Sequence, residues 1–314
     1  MENNERKELF AFYNVENLFS PDPTPIHRLD PTISGLRNWD ERKYKNKLFK
    51  IAHVFELIRE TEVLPMLIGL AEIQGQAPLD ELVTMPPFNS EYGVIHYDSM
   101  DERGVDVALL YDKSKIEIIS SEPITYFFEI EDDHPANYDT TRDILHCRIK
   151  YEAEIINVFV LHLPSKREKD VNKPKREFIL NDIHKKIINI ISKTTEAVLI
   201  CGDFNENPDG ENITNLLYDS DLNKMLVNPC LELYKNKNFS TFYYKDGLLF
   251  DQILLSNNFF EENSGLKFAE AKVFNHPKLA NWVGNFKGKP FRTFAGTRYL
   301  GGYSDHFPVL TQFL

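Results

Sequence analysis

Side chains that can bind a metal ion or move a proton recur in this chain at one kind of place, the end of an apolar run. Asn14 and Glu16 close the run that starts at Leu9, and Glu72 follows Ile68-Gly69-Leu70-Ala71. His162 follows Phe159-Val160-Leu161, Asp203 and Asn205 follow Leu199-Ile200-Cys201-Gly202, and Ser304-Asp305-His306 precedes a last apolar run. Taken singly, each has a plainer explanation. A carboxylate or amide after a strand commonly caps it or forms an Asx turn, and a buried histidine is commonly satisfied by backbone. Their joint recurrence is the signal, because strand ends aligned in one sheet converge at one edge, where α/β folds place their sites.

The elements that would position these residues are legible as β-branched and apolar runs at Leu9 to Val15, Leu67 to Ala71, Val105 to Tyr111, Ile116 to Ile119, Ile144 to Ile149, Ile155 to Leu161, Ala197 to Cys201, Leu249 to Leu255 and Phe307 to Leu310. Two segments carry helical periodicity: Leu48, Ile51, Phe55 and Ile58 share one face, as do Ile183, Ile187, Ile190 and Ile191. Many strands, few helices and hairpin-like neighbours predict a mixed α/β (α+β) fold rather than a doubly wound parallel sheet. The Pro-containing stretches at Ser20 to Pro31, Pro86 to Pro87 and Asp133 to Asn137 read as surface loops.

The chain has 314 residues, 42% hydrophobic and 12% aromatic, enough to fill a thick core, and the expectation is one domain over 1–314. Its 36 basic against 48 acidic residues give a net charge of −12, which opposes sequence-independent binding along a polyanion. Cys147, Cys201 and Cys230 lack metal-ligand spacing and read as small core side chains. No stretch approaches the 18 or so apolar residues of a membrane span, and no secretory segment opens the chain, so the expected location is cytoplasmic; the expected state is a monomer.

Seven motifs in one order resemble the endonuclease/exonuclease/phosphatase superfamily. They are Phe12-Tyr13-Asn14-Val15-Glu16-Asn17, Leu70-Ala71-Glu72-Ile73-Gln74, Arg103 through Tyr111, Leu161-His162-Leu163-Pro164-Ser165, Gly202-Asp203-Phe204-Asn205, Phe250-Asp251-Gln252 through Leu255, and Ser304-Asp305-His306-Phe307-Pro308. The resemblance covers almost the whole chain and implies a four-layer sandwich, two packed mixed β-sheets flanked by helices.

It also implies roles. Glu72, assisted by Asn14 and Asp305, would hold Mg2+, with Mn2+ as a substitute, through hard oxygen donors. His306 would be the general base, oriented by Asp251. Asp203 and Asn205 would orient water and phosphate, and His162 would donate to a nonbridging oxygen. Glu16 stands where some members carry a second acidic ligand. Arg103 and Arg142 are the arginines expected near the phosphate, and Lys166, Arg167, Lys169, Lys173, Lys175 and Arg176 are expected to ring the cleft or form a solvated helix start. The implied partner is a phosphate ester, with nucleic acid among the candidates. A phosphodiesterase or nuclease is the leading reading, a phosphomonoesterase acting on a sugar or inositol phosphate the second, and a noncatalytic relative the third. The inositol phosphatases of the family carry Cys-Asp-Arg where this chain has Phe250-Asp251-Gln252. Loops such as Pro21 to Asn38 and Asn275 to Arg292 are expected to set the substrate.

Overall fold

In the computed structural model, residues 7–21, 39–101, 104–129, 138–166, 169–296 and 298–314 are described. In chain order the elements are β1 (Glu8–Leu18), α1 (Glu41–Thr61), β2 (Leu67–Ile73), α2 (Gln76–Thr84), β3 (Tyr92–His96), β4 (Asp106–Asp112), β5 (Ile116–Ile124), β6 (Phe127–Glu129), β7 (Tyr138–Thr140), β8 (Ile144–Tyr151) and β9 (Glu154–His162). They continue as α3 (Lys173–Lys193), β10 (Ala197–Asp203), α4 (Glu211–Leu216), β11 (Leu226–Val227), α5 (Cys230–Lys235), β12 (Thr241–Tyr243), β13 (Asp246–Leu248), β14 (Asp251–Ser256), β15 (Phe268–Val273), β16 (Phe294–Ala295), β17 (Arg298–Tyr299) and β18 (Val309–Phe313).

Two six-stranded mixed sheets face one another. The first runs β15-β18-β1-β2-β4-β3 and the second β11-β14-β10-β9-β8-β5. Each has one central parallel pair, β1 with β2 and β9 with β10, among antiparallel neighbours. Alternation along β9 and β10 shows how the layers form. Val158, Val160, Leu199 and Cys201 enter the cluster between the sheets. Phe159, Leu161, Val198 and Ile200 turn to the outer face, where Ile179, Leu180, Ile183 and Ile187 of α3 cover them. At Gly69 the sheets approach so closely that an added Cβ would lie 2.8 Å from Cys201 Sγ and 3.3 Å from a Val160 methyl.

On the far face of the first sheet, α1 buries Tyr44, Leu48, Ile51, Phe55 and Ile58, each such side chain contributing roughly 1.5–3 kcal/mol. Asp40 caps its start by accepting the Lys43 N–H at 2.8 Å. The two periodic helices and the long strands lie where the sequence pattern put them. The strand expected from Leu249 begins at Asp251, and the one expected from Phe307 begins at Val309. The edge strands β3 and β15 and the short elements between β10 and β14 carry no strong alternation and went unread. All three cysteines are buried thiols. Among the described residues no helix is long and apolar enough to cross a membrane. Most of Ser20 to Pro31 and Pro21 to Asn38, and the Asp133 to Asn137 loop, lie outside the described residues.

Candidate active site

The parallel pairs bring their C-terminal ends to one edge of the sandwich. Asp203 ends β10 opposite His162 at the end of β9, and antiparallel β14 begins there with Asp251 paired to Asp203. Close approach is built into this corner: a Cβ on Gly202 would stand 2.3 Å from the Leu161 carbonyl oxygen. In the first sheet, Asn14 pairs with Ala71, so Glu72 projects beside it. Glu16, Asn17, Glu72 and Asn205 all have φ between 50° and 68°. Left-handed backbone costs a non-glycine residue up to about 1–2 kcal/mol, least for Asn, and four of the twelve such residues among the described ones stand at this edge.

The side chains form a continuous chain of contacts. The Asn14 amide donates to Asp203 Oδ2 at 3.1 Å, and Asp203 Oδ2 lies 3.7 Å from His162 Nε2, which is 4.0 Å from Glu72 Oε1. Glu72 Oε2 accepts the Asn17 backbone N–H at 3.0 Å. His306 Nδ1 and Asp251 Oδ2 are 2.6 Å apart, leaving His306 Nε2 turned to Asp203 Oδ2 at 4.0 Å and Asp305 Oδ1 at 3.9 Å. The Asn205 N–H donates to Asp203 Oδ1 at 2.9 Å, and its side-chain amide donates to the Leu163 carbonyl. Ser304 ties the last strand to the first by donating to the Asn14 carbonyl at 2.7 Å while accepting the His306 N–H. Asn14, Glu72, His162, Asp203, Asn205, Asp251, Asp305 and His306 are thus brought together.

Charge at this edge is unbalanced. Burial, with the Asp251 charge second, pushes Asp203 up to about 7. Burial and then Asp305 push Glu16 up to about 7 as well. Burial acts on His306 in the opposite sense, yet Asp251, Asp305 and Asp203 together outweigh it and raise the imidazole well above its ordinary value. Asp305 is also penalised by burial, but His306, Arg292 and Lys47 hold its carboxyl below the usual range.

Sequence reasoning missed two cations. Lys47, only 1% exposed, donates to Thr293 Oγ1 and to the Tyr303 carbonyl; burial drives it down to about 8, against the pull of Glu16, Asp305 and Glu72. The signal was present, since Lys47 falls on the apolar face of α1 between Tyr44 and Ile51. Arg292 sits at the mouth with its Nη2 2.6 Å from Asp305 Oδ2 and its Nε 3.8 Å from Glu16 Oε1. Glu16 is buried and accepts backbone N–H groups from Thr293 and Phe294.

The expected arginines stand differently. Arg103 and Arg167 lie outside the described residues. Arg142 is buried, 3.6 Å from Asp101, with Nη1 3.5 Å from the His162 carbonyl, so it lies behind the histidine. Arg176 does not ring the cleft on a solvated helix start. It is fully buried, bonded to Glu206, Asp170 and the Pro164 carbonyl, because a guanidinium with three fixed oxygen partners can be buried where a solvated one cannot. Gln252 is buried too, bridging Asn228 and the Glu206 carbonyl.

Two groups among the described residues bring histidine and carboxylate atoms within 4.8 Å of one another: Asp203, Asp251 and His306 here, and His96, Asp98 and Asp106 at the edge of the first sheet. The donors at the site edge are hard oxygens and imidazole nitrogens. The raised Glu16 and Asp203 mark a surplus of negative charge that a divalent cation would relieve, so the residues fit such an ion.

The class of fold is a sandwich of two mixed sheets that gathers carboxylate, amide and imidazole groups at one edge. The chain belongs to the endonuclease/exonuclease/phosphatase family, whose model matches residues 9–313. Among solved structures, D. rerio TDP2 complexed with a single-strand DNA product superposes with a TM-score of 0.59 at 15% identity, over 99% of this chain and 100% of that one. A mannosyl-6-phosphatase of Bacteroides thetaiotaomicron superposes with a TM-score of 0.60 at 14% identity, over 98% and 99%. TDP2 from C. elegans gives 0.59 at 16%, covering 98% of this chain and 75% of that one. At these identities the likeness is one of fold. No curated protein sequence matched the chain. Members of the family hydrolyse phosphoester bonds and are generally dependent on a divalent metal.

Proposed function

We propose that this protein is a magnesium-dependent phosphodiesterase, with Mn2+ able to substitute, that cleaves a phosphate ester by in-line attack of water. The observation that carries the reading is the His306–Asp251 pair at 2.6 Å, with the second imidazole nitrogen facing the cluster. Held this way, Nε2 takes the proton of the attacking water while Asp251 fixes the tautomer and stabilises the imidazolium that forms. The carboxylates around His306 favour its protonated form, and neutralising them favours release of that proton. Glu72, with Asn14 and Asp305, would hold the cation, which supplies charge neutralisation at the phosphate oxygens. Asp203 and Asn205 orient water and phosphate, and His162 donates to a nonbridging oxygen. Arg142 acts from behind His162, and Arg103 is the second arginine we assign to the phosphate. We read 1–314 as one domain working as a monomer, and the three buried thiols accord with the cytoplasm.

One observation favours a second reading, a phosphomonoesterase: the Arg292 guanidinium, 46% exposed beside Asp305, could balance the extra charge of a monoester dianion. The buried Gln252 in place of an arginine speaks against an inositol-phosphatase type of grip. Hydrolysis of bis(p-nitrophenyl) phosphate and of p-nitrophenyl phosphate with Mg2+ or Mn2+, with and without chelator, tests both. Chelator-sensitive turnover of the diester is expected to exceed that of the monoester. The reverse preference selects the second reading, and no turnover of either, nor of plasmid DNA, returns the chain to the noncatalytic class.

A further inference from the structure

Two segments rise from the reaction centre and meet away from it. The β12–β13 hairpin starts at Thr241, which bridges to His306 and donates its hydroxyl to the Asp305 carbonyl at 2.8 Å. The 281–289 turn is closed by Gly288 N–H to the Asn281 carbonyl and Asn281 N–H to the Lys289 carbonyl. It leads through the Ala280–Pro290 bridge to Arg292, which is bonded to Asp305. Lys289 joins the two segments: its ammonium donates to the Tyr244 carbonyl and lies 5.5 Å from the Phe242 ring and 5.6 Å from the Phe286 ring.

The surface so formed is unusual in two respects. It exposes large rings, Tyr243 at 65%, Tyr244 at 77%, Phe286 at 62% and Trp282 at 72%. It also reverses the charge of the chain, since residues 275–292 hold Lys278, Lys287, Lys289 and Arg292 and no Asp or Glu, against −12 overall. Aromatic faces interleaved with cations, leading to a phosphoester centre, complement a strand that alternates stackable bases with phosphates. The rings also have partners within the ledge. Trp282 donates its indole N–H to the Pro277 carbonyl at 3.0 Å, Tyr243 and Tyr244 pack edge to face at 4.8 Å, and the Lys289 ammonium lies 5.6 Å from the Phe286 ring.

We propose that this ledge is a base-stacking subsite for single-stranded nucleic acid, holding nucleotides that flank the phosphate at His306. The proposal rests on the phosphoesterase reading and deepens it by naming the substrate class. Stacking on a ledge beside the centre adds binding without touching the reacting atoms, so small substrates gain nothing from it.

Trp282 provides its own reporter, because the chain has two tryptophans and Trp39 is buried against Phe19 and Phe294. Full-length protein in chelator is titrated with a thymidine 12-mer, followed by tryptophan emission and by anisotropy of the labelled oligomer. Saturable quenching is expected; Trp282→Phe removes the quenching and keeps the affinity. Trp282→Ala with Phe286→Ala weakens binding roughly 5- to 150-fold for each stack lost. The same variant turns over bis(p-nitrophenyl) phosphate within about twofold of the parent. Undiminished oligomer affinity in the double alanine variant overturns the proposal, as does quenching by anionic phospholipid vesicles but not by the oligomer. If the parent binds and is quenched yet hydrolyses no phosphoester, the catalytic reading fails and the stacking subsite stands. Turnover without oligomer binding upholds the catalytic reading and overturns the subsite.

Discussion

The strands β8, β9 and β10 carry a polar cluster at each end, and the two ends are built on opposite rules. At the end away from the site, Arg148 of β8 grips Glu196, just before β10, through both Nε and Nη2, and the Asn157 amide of β9 donates to the same carboxylate at 2.9 Å. His146 completes the group through Asn157 at 3.0 Å. Every charge there meets its opposite, and the bond from Arg148 first of all holds the Glu196 carboxyl below its ordinary range. At the other end, His162, Asp203 and Asp251 stand with Glu72 and Asp305. Carboxylates face carboxylates, and Asp203 is pushed up instead. The same strands therefore hold a neutral, self-satisfied cluster and a strained, charge-rich one. The second is poorly suited to stabilising the fold and well suited to binding an ion and moving a proton.

The contrast breaks hardest at His306. His306→Ala is expected to lower turnover by about 10²–10⁴-fold while leaving Mg2+ affinity by calorimetry nearly intact. Glu72→Gln is expected to weaken both. If the alanine variant loses the metal and the glutamine variant keeps it, the roles given to the two residues exchange.

The two ends should also answer pH with opposite signs in chelated protein. Asp203 and Glu16 have folded-state values near 7, above the unfolded range near 4, so the native state holds extra protons between those limits and stability falls as pH rises through them. Glu196 is lowered in the folded state, so its contribution is present above about pH 4 and is lost as pH falls. Melting temperatures of the parent and Asp203→Asn from pH 4 to 8 measure the first. The variant is expected to flatten the decline, and an unchanged slope would remove Asp203 as its source.

The smallest effect belongs to the paired end. Glu196→Gln is expected to cost about 1 kcal/mol or less, since solvent reaches the pair and screens it, and to leave turnover unaltered. A loss of activity comparable to that of the site variants would show that the two ends are coupled and not merely different.

Much of this was legible before the fold was known. Strand ends marked Asn14, Glu72, His162 and Asp203, because alternation and apolar runs are local properties and the first polar residue after a run is visible in one dimension. Lys47 was visible in principle, as a lysine on an apolar helix face, but spacing alone does not separate a buried ammonium from one whose stem lies on the core and whose tip reaches water. Arg176 shows the converse: it opens a Lys-rich helix and looks solvated, and only Glu206 and Asp170, folded over it, bury it.

The sequence by itself determined the long central strands, the two periodic helices, the order of the motifs and the chemical character of the site edge, since these depend on side-chain type and short-range periodicity. The tertiary structure alone decided which carboxylates crowd together and which are paired. Glu16 is satisfied by Thr293 and Phe294, 277 and 278 positions away, Asp305 by Arg292, and Lys47 by Thr293 and Tyr303. It also set an aromatic hairpin and a cationic turn side by side through Lys289. Charge balance and burial are sums over neighbours in space, and no pattern along the chain contains them.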